Sequence, residues 1–411
     1  MSADRFDYLI IGNSTAAVGA IEAIRTRDTD GSIGVVAYES EHTYSRPLIT
    51  YFMSGKVPED KVYYRPMDFY DRYSVDRILG SQAVGISTKD NVVILEDGSK
   101  IGYSKLLVAA GGSPIPIKVS GADRPGVFFM NTMDDARRAK GWLAHTKRSV
   151  VVGAGLTGLK TAEALIEIGQ EVTVVELAPR VLATSLDSAA SDIVREVMVE
   201  HGVDVLTEVQ VVSIEGAEDT NDVTSVVLST GEHIACDSVF VTIGVKPRIE
   251  IVQGSGIEAG RGILVDRHMR TNIPNVYAAG DIAEAYDPMM GGSRVVPILP
   301  NAYIGGRDLA ARPDYNVWAI IASLKRLAAR PARWLFPGSG TVRANPAAEL
   351  WRKAEQMEEF GAQVRRLHAQ GLSVREIKRR LLGRETRLTY ITCGHFSGAN
   401  LVALYLRDRP C

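Results

Sequence analysis

Two stretches of this 411-residue sequence carry residues of the type and spacing that hold a dinucleotide. The stronger is SVVVGAGLTGLKTAEALIEIGQEVTVVE. Gly153, Gly155 and Gly158 form a GxGxxG between an apolar run and an amphipathic one, and Glu176 lies 18 residues after Gly158. Gly153 permits a tight turn, Gly155 lets backbone approach a diphosphate, and Gly158 lets a helix meet a strand, while the helix N-terminus favours negative charge. Glu176 is placed to accept ribose hydroxyls and to repel a 2′-phosphate, so NADH is expected over NADPH. Arg180, nearby, would soften that preference. The weaker copy is YLIIGNSTAAVGAIEAIR followed by SIGVVAYE. It has Gly12, but Ser14 and Ala17 take the second and third glycine positions, with Glu39 as the acid. Both replacements are small, so close approach to a phosphate remains open. A plain α/β segment with no ligand explains this copy equally well when it is read alone.

The elements that must position these residues are short buried strands and amphipathic helices. Strands are expected at Tyr8–Gly12, Ser149–Val152 and Glu171–Val175, with a helix running from the second glycine turn to about Ile168. KDNVVILEDGSKIGYSKLLVAAGGSPIP reads as two strands joined at Asp97-Gly98, then a strand Lys105–Ala109 and a glycine turn. TNIPNVYAAGDIAEA reads as a strand Asn275–Ala278 ending in Gly280-Asp281 before a helix. A carboxylate at such a strand end suits a cofactor polyol, although an Asp there also serves as a simple helix cap. Two dinucleotide sites imply two cofactors.

Composition narrows the class. With 45% hydrophobic and 23% charged residues, the chain can bury large cores, and its length suits roughly two to three domains. Collagen, coiled coil and a disordered chain are excluded. No apolar run reaches the roughly 18 residues of a membrane span, and the acidic N-terminus lacks the basic region of a secretory signal. Cys236, Cys393 and Cys411 are too few and too scattered for a disulfide framework or a CxxC zinc site. A reducing, cytoplasmic location is therefore expected. None of the seven histidines has metal-ligand spacing, so no metal is expected. Charge is uneven: residues 311–411 carry 18 Lys and Arg against 8 Asp and Glu, whereas residues 1–310 carry 29 against 41. This shift marks a boundary near 311.

Residues 1 to about 310 resemble the pyridine nucleotide–disulfide oxidoreductases, specifically the subgroup without a redox disulfide that includes rubredoxin and ferredoxin reductases and the flavin part of nitrite reductases. IIGNSTAA with Gly12, Ser14 and Glu39 resembles the FAD fingerprint. YSRPLITYFMSG, with Arg46 and Pro47, resembles the segment reaching the flavin and its phosphates. VAAGGSPIP, with Ala110 and Gly111, resembles the family's ATG turn, Ala110 replacing its threonine. VVVGAGLTG with Glu176 resembles the NADH fingerprint. TIGVKP, with Gly244, resembles the loop near the nicotinamide, YAAGD, with Asp281, the ribityl motif, and PILPNAYIGGRDLA the helix start beside the flavin. The implied fold is α/β: two Rossmann-like dinucleotide-binding domains, the FAD domain (1–115 and 246–310) interrupted by the NADH domain (116–245), then a mainly helical segment, 311–411. The implied chemistry is hydride transfer from NADH to FAD, then electron transfer to an acceptor, for which a small electron-carrier protein is the expected type. The rival reading is a non-catalytic flavin- or nucleotide-binding subunit whose basic tail docks a partner.

Two departures bear on mechanism. No cysteine lies in residues 42–55, where the thiol-dependent relatives place theirs, so electrons are expected to leave the flavin directly. Lys160 stands where many relatives have Glu. It is the candidate catalytic residue, either stabilising negative charge on reduced flavin or pairing with an acid, and a solvated helix-face lysine explains it equally well. The family's C-terminal interface domain is not recognisable. Residues 313–411 read as helices Asn316–Arg330, Pro346–Gln370 and Ser373–Leu382, and they resemble the tail of metallo-β-lactamase-fold hydrolases. Ser339 replaces the metal-binding His of that loop and the HxHxDH motif is missing, so hydrolase activity is not expected. The tail is expected to be a dimerisation or docking module, with a gene-fusion remnant of little function and a membrane-surface helix as the alternatives, and with no nucleic acid as partner.

Overall fold

The computed structural model describes residues 5–266, 268–287, 292–297, 299–308, 324–326, 328–329 and 346–382. Its first sheet begins with β1 (Arg5–Ile11), whose Leu9, Ile10 and Ile11 are buried in succession, as a strand covered on both faces requires. β2 (Ile33–Ala37) and β3 (Val75–Leu79) extend it in parallel on one side. On the other lies β6 (Lys100–Val108), a nine-residue strand with two further partners. Its first half pairs antiparallel with β5 (Val92–Leu95), which hairpins with β4 (Ala83–Ser87). Its second half pairs parallel with β18 (Val276–Ala278), which reaches it after a long excursion of the chain. α1 (Thr15–Arg25) packs its small residues Ala16, Ala17 and Ala20 onto this sheet. α2 (Ile49–Met53) and α3 (Phe69–Arg72) are single turns between β2 and β3. The expected hairpin at Asp97-Gly98 is present, with Gly98 at φ +83°.

The excursion builds a second sheet in the parallel order β11-β10-β9-β15-β8. Its strands are β8 (Val127–Phe129), β9 (Arg148–Val152), β10 (Glu171–Val175), β11 (Val203–Leu206) and β15 (Ser238–Val241). Helices α4 (Met133–Leu143), α5 (Leu156–Glu167) and α6 (Ser188–Glu200) connect them. β12 (Val211–Gly216), β13 (Val223–Leu228) and β14 (His233–Ala235) form an antiparallel layer that shares a core with β9 and β15. The chain leaves the first sheet through β7 (Gly112–Pro114) and returns through β16 (Val245–Pro247), and these two strands pair antiparallel.

One hydrophobic core joins the two sheets' helices. Tyr44, Ile49, Phe52, Met53 and Val62, from the segment between β2 and β3, are buried with Met133, Ala136 and Leu143 of α4 and with Ala162 and Leu165 of α5. Polar bonds surround it. Arg137 of α4 reaches Glu41 at 2.7 Å and Glu59 at 2.5 Å, and Lys56 reaches Glu167 at 2.6 Å. Residues 1–285 and 294–311 accordingly form one compact unit.

The sequence predicts a helix after Asp281. The chain instead turns at Gly280 (φ +80°) into β19 (Ala283–Asp287), which pairs parallel with β17 (Ile263–Val265). The cause is local: the Glu284 carboxylate accepts the backbone N–H groups of Arg261 and Gly262 at 2.7 and 3.0 Å, and Ile282 is fully buried. These contacts are available only in an extended chain. α7 (Leu299–Asp308) follows and crosses α1 so closely that a Cβ on Gly306 would lie 2.0 Å from the Ala16 carbonyl oxygen.

The second compact unit comprises residues 286–293 and 312–411. Most of its described part is a helical hairpin, α8 (Pro346–Ala369) and α9 (Val374–Leu382), turning at Gly371 (φ +86°). Ser373 caps α9 in a reciprocal exchange with Glu376, and Ala354, Val364, Leu367 and Ile377 are its core. The expected Asn316–Arg330 helix falls largely outside the described residues, and Ser339, Cys393 and Cys411 lie wholly outside them.

Because Phe52 is buried in the core that both sheets share, Phe52→Ala is expected to lower stability by about 3–5 kcal/mol. Denaturant unfolding measures this. Both sheets should respond in one transition, and separate transitions would refute the shared core.

Candidate functional site

A cavity of about 510 Å³ opens at the C-terminal ends of the first sheet's strands, lined among others by Gly12, Ser14, Glu39, Arg46, Ala110, Gly111 and Asp281. This is where a doubly wound sheet takes ligands. The cavity thus gathers seven of the eight residues expected to touch FAD. The eighth, Pro47, sits in the adjoining 3-10 turn Arg46–Leu48. Gly12 is required for two reasons: its φ is +109°, and a Cβ would meet the Ala109 carbonyl oxygen at 2.2 Å. Ser14 precedes α1 in an extended conformation, leaving that helix's first N–H groups directed at the cavity.

Glu39 is not isolated. Its carboxylate accepts from the Tyr44 hydroxyl and from Arg46 Nη2, both at 2.5 Å. Tyr44 in turn accepts from the Met133 backbone N–H at the start of α4, and Arg46 donates to the Asn131 carbonyl. Glu39 is therefore held in place from the second sheet's side. Asp281 is the opposite case: no described residue donates a hydrogen bond to its carboxylate. Burial pushes this carboxyl above the usual carboxylate range, with Arg46 pulling it back. His42, also at the cavity, is buried with Nε2 on the Arg65 carbonyl and no partner for Nδ1. Burial lowers its pKa, which favours the neutral ring. Unpartnered polar groups around an open volume, beside a helix N-terminus, fit a polyhydroxylated anion such as FAD.

The second set of residues lies outside this cavity, at the matching edge of the second sheet. Gly153 repeats the Gly12 arrangement, with φ +102° and a Cβ position 2.8 Å from the Thr242 carbonyl oxygen. Gly155 caps α5 with open space around it, and Gly158 leaves no room for a Cβ, 1.9 Å from the Gly153 carbonyl oxygen. The Glu176 carboxylate accepts from the backbone N–H of Ala154 at 2.5 Å and of Ala178 at 2.7 Å. Leu156 and Leu177 stand 69% and 67% exposed beside this loop. Gly244, at φ +112°, lies between Ile243 and Val245 at the start of the return to the first sheet. Arg180 donates to the Ala183 carbonyl.

Lys160 pairs with an acid: its Nζ lies 2.6 Å from Glu163 Oε2 and 2.9 Å from the Tyr51 hydroxyl. The Glu163 bond, then Tyr51, raises its pKa, so it remains protonated and cannot serve as a base. Tyr51, Tyr44 and His42 are residues that sequence reasoning missed; Tyr44 and Tyr51 lie inside the YSRPLITYFMSG segment, and His42 just before it, with no motif to mark any of them. Cys236 is fully buried in the second sheet's core, where burial pushes its thiol up to about 12. Among the described residues no three His, Cys, Asp or Glu side chains converge as a metal site, and no helix is long and apolar enough to cross a membrane.

The family model of the pyridine nucleotide-disulphide oxidoreductases matches residues 6–304. The chain belongs to this family. It is an FAD-dependent oxidoreductase that uses NADH. Over 300 residues it is 36% identical to NADH-dependent phenylglyoxylate dehydrogenase subunit epsilon of Aromatoleum evansii, covering 73% of this chain and 70% of that one. It is 34% identical over 304 residues to rubredoxin-NAD(+) reductase of Pseudomonas putida, covering 74% and 78%. The covalent putidaredoxin reductase–putidaredoxin complex is similar in structure, with a TM-score of 0.72 at 28% identity, covering 74% of each chain. The family match ends at residue 304, and none of these similarities supports the hydrolase-like reading of the tail.

The oxidoreductase's Asp281 generates a prediction. A carboxyl that titrates higher in the folded chain than in the unfolded one makes the folded state the tighter proton binder. Flavin-free protein should therefore lose stability as pH rises from the ordinary carboxylate range through the raised value. Asp281→Asn should remove that pH dependence, leaving the flavin-free variant at least as stable as wild type at pH 7. Thermal melts at pH 4 and 7 check this. The same variant should retain flavin about tenfold or more less tightly, the loss of one charge-assisted hydrogen bond.

Proposed function

We propose that this oxidoreductase passes electrons from NADH through FAD to a small electron-carrier protein, in a reducing cytosol. The observation that carries the reading is the single core joining the two nucleotide-binding edges. A relay needs two rings held at a fixed, short separation, and a ligand-storage protein does not. The names of the relatives support the acceptor class: one reduces rubredoxin and one is joined to putidaredoxin. The subunit epsilon relative favours a variant of the same reading, in which the acceptor is a fixed partner subunit. On this reading residues 1–115 and 246–310 hold FAD, residues 116–245 hold NADH, and residues 311–411 form a separate basic module.

Bound FAD supplies a ring that takes a hydride from NADH and releases electrons singly or in pairs. The chain's own residues do the rest. The α1 N-terminus and the Gly12 turn receive the FAD diphosphate, Glu39 the adenosine ribose and Asp281 the ribityl chain, while Arg46 adds positive charge. The α5 N-terminus and Gly155 receive the NADH diphosphate, Glu176 its ribose hydroxyls, and Gly244 the approach of the nicotinamide. Lys160 stays protonated between Glu163 and Tyr51, a fixed cation at the junction of α2 and α5. It offers charge stabilisation and no proton abstraction.

Stopped-flow bleaching under anaerobic conditions tests the nucleotide side. NADH should reduce the flavin faster than NADPH at low concentration, and Glu176→Ala should narrow the ratio; equal rates in wild type would refute the assignment. For the acceptor side, a variant with all three cysteines replaced by Ala should still carry electrons from NADH to a rubredoxin or a [2Fe–2S] ferredoxin. Loss of that transfer with flavin still bound would point to a thiol relay.

A further inference from the structure

At the cavity edge of the first sheet, β1 ends between the ends of β2 and β6. Tyr38 directly follows β2, and Gly111 and Gly112 follow β6 closely. Arg248 arrives from elsewhere in the chain, just after β16, and joins these two ends. Its backbone N–H donates to the Gly111 carbonyl at 3.1 Å and its Nε to the Gly112 carbonyl at 3.2 Å. Its guanidinium then lies 4.2 Å over the Tyr38 ring, with Nη2 donating to the Tyr38 hydroxyl at 2.9 Å. The side chain thus runs from the end of β6 to the end of β2, past the Gly12 turn that ends β1. Tyr38, Arg248, Gly12 and Gly112 all line the one cavity.

The parts of the cavity have distinct chemistry. Gly12 and the α1 N-terminus mark the diphosphate, Glu39 the adenosine ribose and Asp281 the ribityl chain. The lining left over beyond Glu39, formed by Gln82, Ala83, Val84 and Ile251, is where an adenine fits. Tyr38 adjoins Glu39 on this side. We propose that Arg248 and Tyr38 form a strap across the adenylyl half of the bound FAD, which governs how slowly FAD leaves and why FAD is held in preference to FMN. The inference rests on the assignment of this cavity to FAD. The physics is simple. A guanidinium stacked on an aromatic face and hydrogen-bonded at both ends is pre-organised, so closing it over a ligand costs little further entropy. Its charge also faces a ligand with a negative diphosphate. FMN has no adenylyl half, so the strap has nothing to hold there.

The test uses the full chain with its flavin, following release by the return of flavin fluorescence on dilution. Tyr38→Ala and Arg248→Ala should each release FAD about tenfold faster or more. The double variant should be little worse than either, because each removes the same contact. Tyr38→Phe, which keeps the ring face, should lie between them and wild type. Affinity for FMN, measured on deflavinated full chain, should be unchanged in all. Wild-type FAD release in both alanine variants would overturn the strap, as would equal weakening toward FMN and FAD. Wild-type protein that carries no flavin at all would instead remove the cavity's assignment, and the strap with it.

Discussion

The arrangement of this protein depends on a short piece of chain, residues 44–62, that belongs to one sheet by sequence and to the other by packing. Ile49, Phe52 and Met53 are buried against α4 and α5, whose strands hold the second nucleotide edge, while Arg46 of the same segment lines the first cavity. Transfer between two bound rings tolerates little error in distance or angle. A loose linker would leave that geometry to diffusion. A core of close-packed side chains sets it to within the give of a protein interior, and the ion pairs from Arg137 and Lys56 add direction at the rim.

The cost of binding a charged, polyhydroxylated cofactor shows in how the first cavity treats its carboxylates. Glu39 is fully committed, clamped by Tyr44 and Arg46 in a network that reaches the backbone of α4. Asp281 has no donor among the described residues, and burial strips much of its water. The two acids stand at opposite limits, one already paired within the chain and one without a described donor. A site that retains such an uncompensated group gives up stability that a purely structural position would keep.

Much of the scaffold was legible in the residues. The two glycine turns, Glu39, Glu176 and Asp281 all stand at strand ends, because a buried run followed by Gly with positive φ admits few other readings. The hairpin at Asp97-Gly98 was legible for the same reason. What sequence could not show was tertiary. AEAYD after Asp281 has no strong local preference, and the Glu284 bonds to Arg261 and Gly262 decide that it is a strand. The close crossing of α7 over α1 rests on Gly306, some 290 residues from Ala16, which no local window reveals. Lys160 was ambiguous until Glu163 and Tyr51 appeared beside it. The Arg248 crossing joins residues separated by more than 130 positions and leaves no periodic trace.

The partnership of β6 with β18 also constrains how the chain is made. Leu106 to Val108 must wait for Val276 to Ala278, which emerge 168 residues after Val108. At ribosomal rates of about 5–20 residues per second, that wait is roughly ten to thirty seconds. During it the flank of β6 is an open edge of apolar residues, and Asp281 does not yet exist to close the cavity. The second sheet, by contrast, is encoded in one uninterrupted stretch and can finish first. Synthesis therefore delivers a folded nucleotide-binding half while its neighbour is still unzipped. The cavity at the first sheet is complete only as the last third of the polypeptide appears.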